Sequence, residues 1–479
     1  MNSKKILAAV SALAMCGTLF TACSGGNSSS ETTTAAGNDT TAAAGEDTAA
    51  AEGGDETTAA VEADTSKTGT IKFLHHRTDM DTSGDMAELL KGFTDKYPGV
   101  TIEAHAYTNY ADDVATMMQS DDYGDVVMTP QAIKQADLPN FFASLGSKSD
   151  MENTYYWTTN YSVGDDVYAL ATAGTASGIL YNKQVWSDAG ITDLPNTPDG
   201  FIDCLKKISE NTSAIPYYTN YNDRWCIVQW QSLVVSASGD PGYNVRVLTD
   251  KEELFSDGSP YDTVYGLLFD IYSDPALVEA DHAGTNWEGC KTAFAQGQIG
   301  SMVLGSWAIS QFQQAAEDVG VDPSVVGYMP LPANVDGKIY SLSSNDYCMS
   351  VNKNSKDVDL AKEFVYWFVD DSGFAAGQGM ISTKKGAPMP DTLSAFDELD
   401  VQLFTEDPVP DELVGKFNEI DKNSEVDTWG DAATNFKFQM AEAAFKGEGR
   451  DKYKEICDSV NAAWDKTRDE VLADYYAAN

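Results

Sequence analysis

Thr70-Ile71-Lys72-Phe73-Leu74 reads as a strand, and it ends on two histidines, His75 and His76. Ser83 is placed to cap the helix that follows as far as Tyr97, in which Leu89, Leu90 and Phe93 supply one apolar stripe. Pro98-Gly99 stops that helix, and Val100 to Ala106 alternates as a second strand. Asp112 to Ser120 reads as a helix, and Asp125-Val126-Val127-Met128-Thr129 as a third, buried strand. Strand, helix, strand, helix, strand is the unit of a parallel sheet with covered faces, so the fold class is α/β. Ligands collect beyond the carboxyl ends of such strands. That rule points to His75, His76 and the turn after Met128, where Gln131 is well placed. Asp125 begins its strand and is read as structural.

Downstream, Ser177-Gly178-Ile179-Leu180-Tyr181-Asn182-Lys183 crosses into a second region. Helical patterns follow at Gly200 to Ser209, Trp225 to Ser236, Tyr261 to Tyr272 and Gly289 to Gln296. Ser301-Met302-Val303-Leu304 is a strand running straight into Gly305-Ser306-Trp307. Tyr347 to Val351 is a further strand, Asp359 to Phe368 an amphipathic helix, and 385–415 is rich in loop residues. Helices return over Asp427 to Phe445 and again from Lys452.

Upstream, Lys4 and Lys5 precede an apolar run from Ile6 to Phe20, followed by Thr21-Ala22-Cys23. A basic start, a short apolar stretch and a small-residue exit make an export signal, and the run is too short for a membrane span. The exit resembles the lipobox of bacterial lipoproteins, in which the cysteine is acylated; Phe20 stands where that pattern prefers Leu. Residues 1–22 are therefore read as a lipoprotein signal peptide and Cys23 as the lipidation site. Residues 23–67 are almost all Ser, Thr, Ala, Gly, Asn, Asp and Glu, a composition that builds no core and reads as a disordered acidic tether.

The net charge of −43 repels nucleic acid and anionic membrane surfaces and offers no basic patch for phosphates. The chain beyond the tether is far longer than one small core needs, which predicts two lobes. Of seven cysteines, Cys204, Cys226, Cys290, Cys348 and Cys457 lie in the body with no C-x-x-C or zinc spacing, and they are read as buried small hydrophobes. No cofactor is implied.

The Ser177–Lys183 segment, the pair Lys291–Gly297 and Ser301–Trp307, and Asp359–Phe364 resemble, in order and spacing, the family 1 extracellular solute-binding proteins of bacterial ABC importers, which include maltose-binding protein. The resemblance covers most of residues 68–479. It implies a two-lobed periplasmic-binding-protein-like fold of type II, its lobes joined by interleaved hinge crossings. On that model one lobe holds 68–175 plus 344–385 and the other 176–343 plus 386–479. It further implies a carbohydrate ligand, membrane permease subunits as partners, and a lipid-anchored position on the extracellular face of the cytoplasmic membrane, in a Gram-positive bacterium.

A sugar site needs aromatic planes for C–H faces and polar groups for hydroxyls. Trp307 is the leading candidate, since the family places a stacking Trp there. Trp225 stands in Tyr221-Asn222-Asp223-Arg224-Trp225, where an indole adjoins Asn222, Asp223 and Arg224. Trp429 matches a late binding Trp of the family, and Tyr155-Tyr156-Trp157 would line a cleft mouth. On the first lobe the resemblance adds His76 and Asp79.

Two other function classes fit parts of the sequence. Acid pairs at Asp121-Asp122 and Asp165-Asp166 superficially suit a glycan-active enzyme, but adjacent side chains diverge and do not straddle a glycosidic bond. A surface glycan-binding module without a transporter is the remaining alternative; a binder that is not an enzyme is the expectation.

Overall fold

A computed structural model describes residues 63–107, 109–130 and 133–478. The export-signal reading, Cys23 and Gln131 lie outside the described residues.

The first sheet has the strand order Gly99–Ala106, Thr68–His75, Val126–Met128, Cys348–Val351, Leu170–Ala171. The first three strands run parallel, and the last two join antiparallel from distant parts of the chain. The Thr68–His75 strand lies inside the sheet with a neighbour on each side, and its Ile71, Phe73 and Leu74 are fully buried. The helix Val358–Asp370 covers it, with Phe364 and Phe368 at 5.4 and 5.9 Å from Phe73. Asp125 is structural: it takes the Lys72 N–H and the Ser355 hydroxyl.

The second sheet is built on Gly174–Asn182, which pairs antiparallel with Ile299–Gly305, Val326–Met329 and Lys338–Asn345. Ile215–Tyr217 extends it in parallel beyond Ile299–Gly305. A larger core lies on this side, and the C-terminal helices Phe436–Phe445 and Gly449–Val471 contribute Met440, Tyr453 and Trp464 to it.

Three chain segments pass between the two sheets and are knitted together. Gly174 exchanges both main-chain bonds with Ile381, Asp346 N donates to the Ala173 carbonyl, and Thr172 N donates to Tyr347. Separate cores linked at such a waist allow bending without separation.

Local chemistry sets several boundaries differently from the sequence reading. Ser83 ends a short helix, Thr78–Ser83, and Gly84 at φ 89° takes the junction position instead. The expected Trp225–Ser236 helix is split by a 3-10 turn at Gln229–Gln231. The expected 427–445 helix begins only at Phe436, where the Asn435 side chain caps it by accepting the Lys437 N–H, and its expected first residue, Asp427, has a positive φ that a helix does not use. The five body cysteines are buried and unpaired.

Candidate ligand-binding site

The strand Ile299–Gly305 is buried throughout and delivers Ser306 and Trp307 at its end. The Trp307 N–H donates to Thr175 Oγ1 at 3.3 Å, and Ser306 Oγ accepts the Ala176 N–H at 2.9 Å. These bonds fix the turn to the start of the Gly174–Asn182 strand. The indole then folds back over Gly305, whose missing Cβ would fall on the Nε1–Cδ1 edge of the ring. Glycine is thus required there for close approach and not for a positive φ.

Two more indoles meet Trp307. Trp225 lies 4.8 Å from Trp287 and 5.8 Å from Trp307, and Trp287 lies 6.0 Å from Trp307. All three are half-buried. Trp287 opens the helix Trp287–Ala295, and its N–H donates to Asp223 Oδ2 at 2.7 Å. Asp223 therefore acts through Trp287, as a cap that holds the indole's backbone. The Trp225–Trp287 contact is edge-on and the other two are tilted; an edge-on aromatic pair contributes about 0.5–1.5 kcal/mol, which helps hold the triangle as a wall.

Trp307 packs against residues of the first lobe's core as well as its own. On that side stand the ends of the Thr68–His75 and Val126–Met128 strands. His75 is fully buried, and burial pulls its imidazole down to about 4. His76 is half-buried, stacked flat on Tyr347 at 3.7 Å with Tyr110 edge-on at 6.1 Å. Burial, then the Arg77 charge, brings it to about 3, so His76 is neutral at ordinary pH.

Arg77 engages Asp79 through Nε and Nη2 and reaches Gln378 Oε1 at 2.8 Å. Burial works against the Asp79 carboxylate, but the Arg77 bonds and charge prevail and hold its pKa below the usual range. Asp346, at the waist, is pushed up by burial. The charges on this wall are largely matched or quenched.

The other candidates are dispersed. Asn222 is exposed, and its N–H donates to Thr285 Oγ1. Arg224 lies over Phe438 at 5.5 Å and reaches the Asp431 carbonyl at 3.4 Å, which ties the Trp225 segment to the loop bearing Trp429. Trp429 itself is 56% exposed.

Trp157 is not brought to this wall. Its indole covers Gly174, and its Nε1 donates to the Ser343 carbonyl at 3.2 Å. Gly174 and Thr175 are consecutive in a strand and face opposite ways, so Trp157 lies behind the waist from Trp307. There it borders a cavity of about 360 Å³ with Ile381, Met389 and Phe404. Sequence reasoning missed Trp287, Tyr347, Arg77 and Thr175. Only Trp287 carried a local signal, an indole just after a capping Asn286.

The model of the bacterial extracellular solute-binding protein family matches residues 81–373. The chain belongs to that family. It has the family's two-lobed, type II periplasmic-binding-protein-like fold, and the family works on the outer side of the cytoplasmic membrane. Among the described residues no helix is long and apolar enough to cross a membrane.

The chain is similar to a manno-oligosaccharide-specific solute-binding protein from Bifidobacterium animalis subsp. lactis solved in complex with mannotriose. They share 31% identity over 84% of this chain and 95% of that one, with a TM-score of 0.76. A binding protein of an ABC transporter from the same organism, in complex with mannobiose, gives 32% identity, 86% and 98% coverage and 0.76. The diacetylchitobiose-binding protein DasA of Streptomyces coelicolor is 27% identical over 227 residues, 43% of this chain; the match spans only 47% of that relative's length.

Proposed function

We propose that this family member captures a carbohydrate, an oligosaccharide, between its lobes and delivers it to the permease subunits of an ABC importer. The observation that carries the reading is the triangle of Trp225, Trp287 and Trp307, in which Trp307 also packs against the core on which Tyr347 lies. Apolar planes beside neutral hydrogen-bonding groups suit the C–H faces and hydroxyls of an uncharged sugar. Arg77 and Asp79 neutralise one another, which favours neutral ligands over charged ones. The ligands named for the three relatives are all oligosaccharides, so mannobiose, mannotriose and diacetylchitobiose are the first candidates.

The lobes divide at 68–175 plus 344–385 and 176–343 plus 386–479, and ligand contacts on both favour closure. The protein acts as a binder without chemistry of its own. Acylated Cys23 and the acidic tether keep it on the extracellular face of a Gram-positive cell membrane, close to its transporter.

Calorimetric titration against mono- and oligosaccharides tests the ligand class. Heat with at least one oligosaccharide is expected; silence across the sugars, with a response to peptides or polyamines, would reject it. Trp307→Ala should weaken binding of the responding sugar by tenfold or more, the loss of about 1.4 kcal/mol or more.

A further inference from the structure

Lys437 is fully buried at the start of the helix Phe436–Phe445, an unusual place for a lysine. Its Nζ donates to the Thr428 carbonyl at 2.8 Å and the Asp427 carbonyl at 3.4 Å, and sits 4.7 Å from the Phe436 ring. Burial brings the ammonium down to about 7, against the opposing charges of Asp421, Asp427 and Asp431 and with the like charge of Lys422.

The loop it holds is costly too. Glu425 and Asp427 stand at φ 61° and 45°. Asp421, 4% exposed, accepts the Thr428 N–H on both oxygens at 2.8 and 3.1 Å. Asn435 Nδ2 donates to the Val426 and Asp427 carbonyls at 3.0 and 2.8 Å. Three buried side chains, two from helices and one from a helix cap, thus converge on the three consecutive residues Val426, Asp427 and Thr428, and the next residue is Trp429, the most exposed large apolar side chain described. The same loop's Asp431 carbonyl receives Arg224, beside Trp225.

We propose that Lys437 is a positioning residue for ligand binding: by fixing the 426–428 loop it sets where Trp429 projects as a platform for an outer sugar ring. The inference rests on the reading of Trp429 as a ligand contact. A buried network grips the backbone on one side so that the loop bearing an exposed indole on the other does not drift. A loose loop would lose backbone entropy on every binding event. A gripped one has lost it already.

The test is a double-mutant cycle on the full-length protein, read by titration with whichever oligosaccharide responds and with Tm as a separate measurement. Trp429→Ala alone should weaken binding about three- to tenfold, the size of one stacked ring. Lys437→Met should weaken it to a similar extent in the native background and have no effect once Trp429 is Ala. Lys437→Gln, which restores a neutral donor, should recover part of the loss. If Trp429→Ala changes nothing, the contact reading fails and the inference with it. If Trp429→Ala weakens binding but Lys437→Met has no effect, or weakens it equally in both backgrounds, Lys437 is only structural and the inference alone is overturned. Should Lys437→Met not fold, Asn435→Ala removes two of the same grips and completes the cycle with the same readings.

Discussion

At the scale of single residues, Gly305 and Trp307 are one unit. The indole occupies the space where a Cβ would stand, so Gly305→Val should displace Trp307 without touching the ligand. The expected result is an affinity loss as large as that of Trp307→Ala, with the double variant no worse than either. Titration of the three variants checks it; independent, additive losses would separate the two residues. Trp307 was legible in the sequence because it follows a recognisable strand and glycine. The face on which Trp157 falls was not, because a one-residue step along the hinge strand reverses the side and composition does not record that step. Trp287 was passed over because an aromatic at a helix start reads equally well as core. Its role emerges only from the neighbours that folding brings within 6.0 Å.

At the scale of elements, the first parallel strands and their helix followed from alternation and a Pro-Gly stop, and they stand where the pattern put them. The C-terminal helix did not begin where expected. Local propensity over 427–435 is overridden by tertiary grips from Asp421, Asn435 and Lys437, which hold conformations a helix forbids. This cluster has a pH signature. Burial brings Lys437 in the folded protein down to about 7 from its ordinary 10.5. Below pH 7 both folded and unfolded states hold the proton, and the full cost of burying charge is present. Between 7 and 10.5 the folded state sheds the proton first, so stability rises with pH, by at most about 1.4 kcal/mol per pH unit. The five buried cysteines, whose thiols burial pushes up, act in the opposite sense as the pH passes their ordinary value, so the Lys437 contribution is read as a difference: urea unfolding at pH 7.5 and 9.5 should show a more favourable change with pH in the native protein than in Lys437→Met. Glu279, raised to about 7 by burial, contributes in the opposite sense but over the lower window from 4.5 to 7. It should not mask the effect.

At the scale of the whole molecule, the two-lobed fold was legible because one chain order, crossing and returning, recurs through a family. The waist itself was not. Its bonds join Gly174 to Ile381 and Ala173 to Asp346, residues that no sequence window holds together. Binding at the waist should draw the lobes together, and small-angle scattering is expected to give a smaller radius of gyration with the responding oligosaccharide than without it. An unchanged radius would argue for a ligand that closes nothing.

The two cores are completed by very different parts of the chain. The smaller gathers its last members by Phe374 and Met380, whereas the larger still lacks Tyr453, Val460 and Trp464 at that point. A polypeptide emerging amino end first can finish one half of itself while the other waits for nearly the last turn of its final long helix. Late truncations should therefore strike the two halves unequally, sparing the histidine-bearing sheet and leaving the tryptophan-bearing one unfinished.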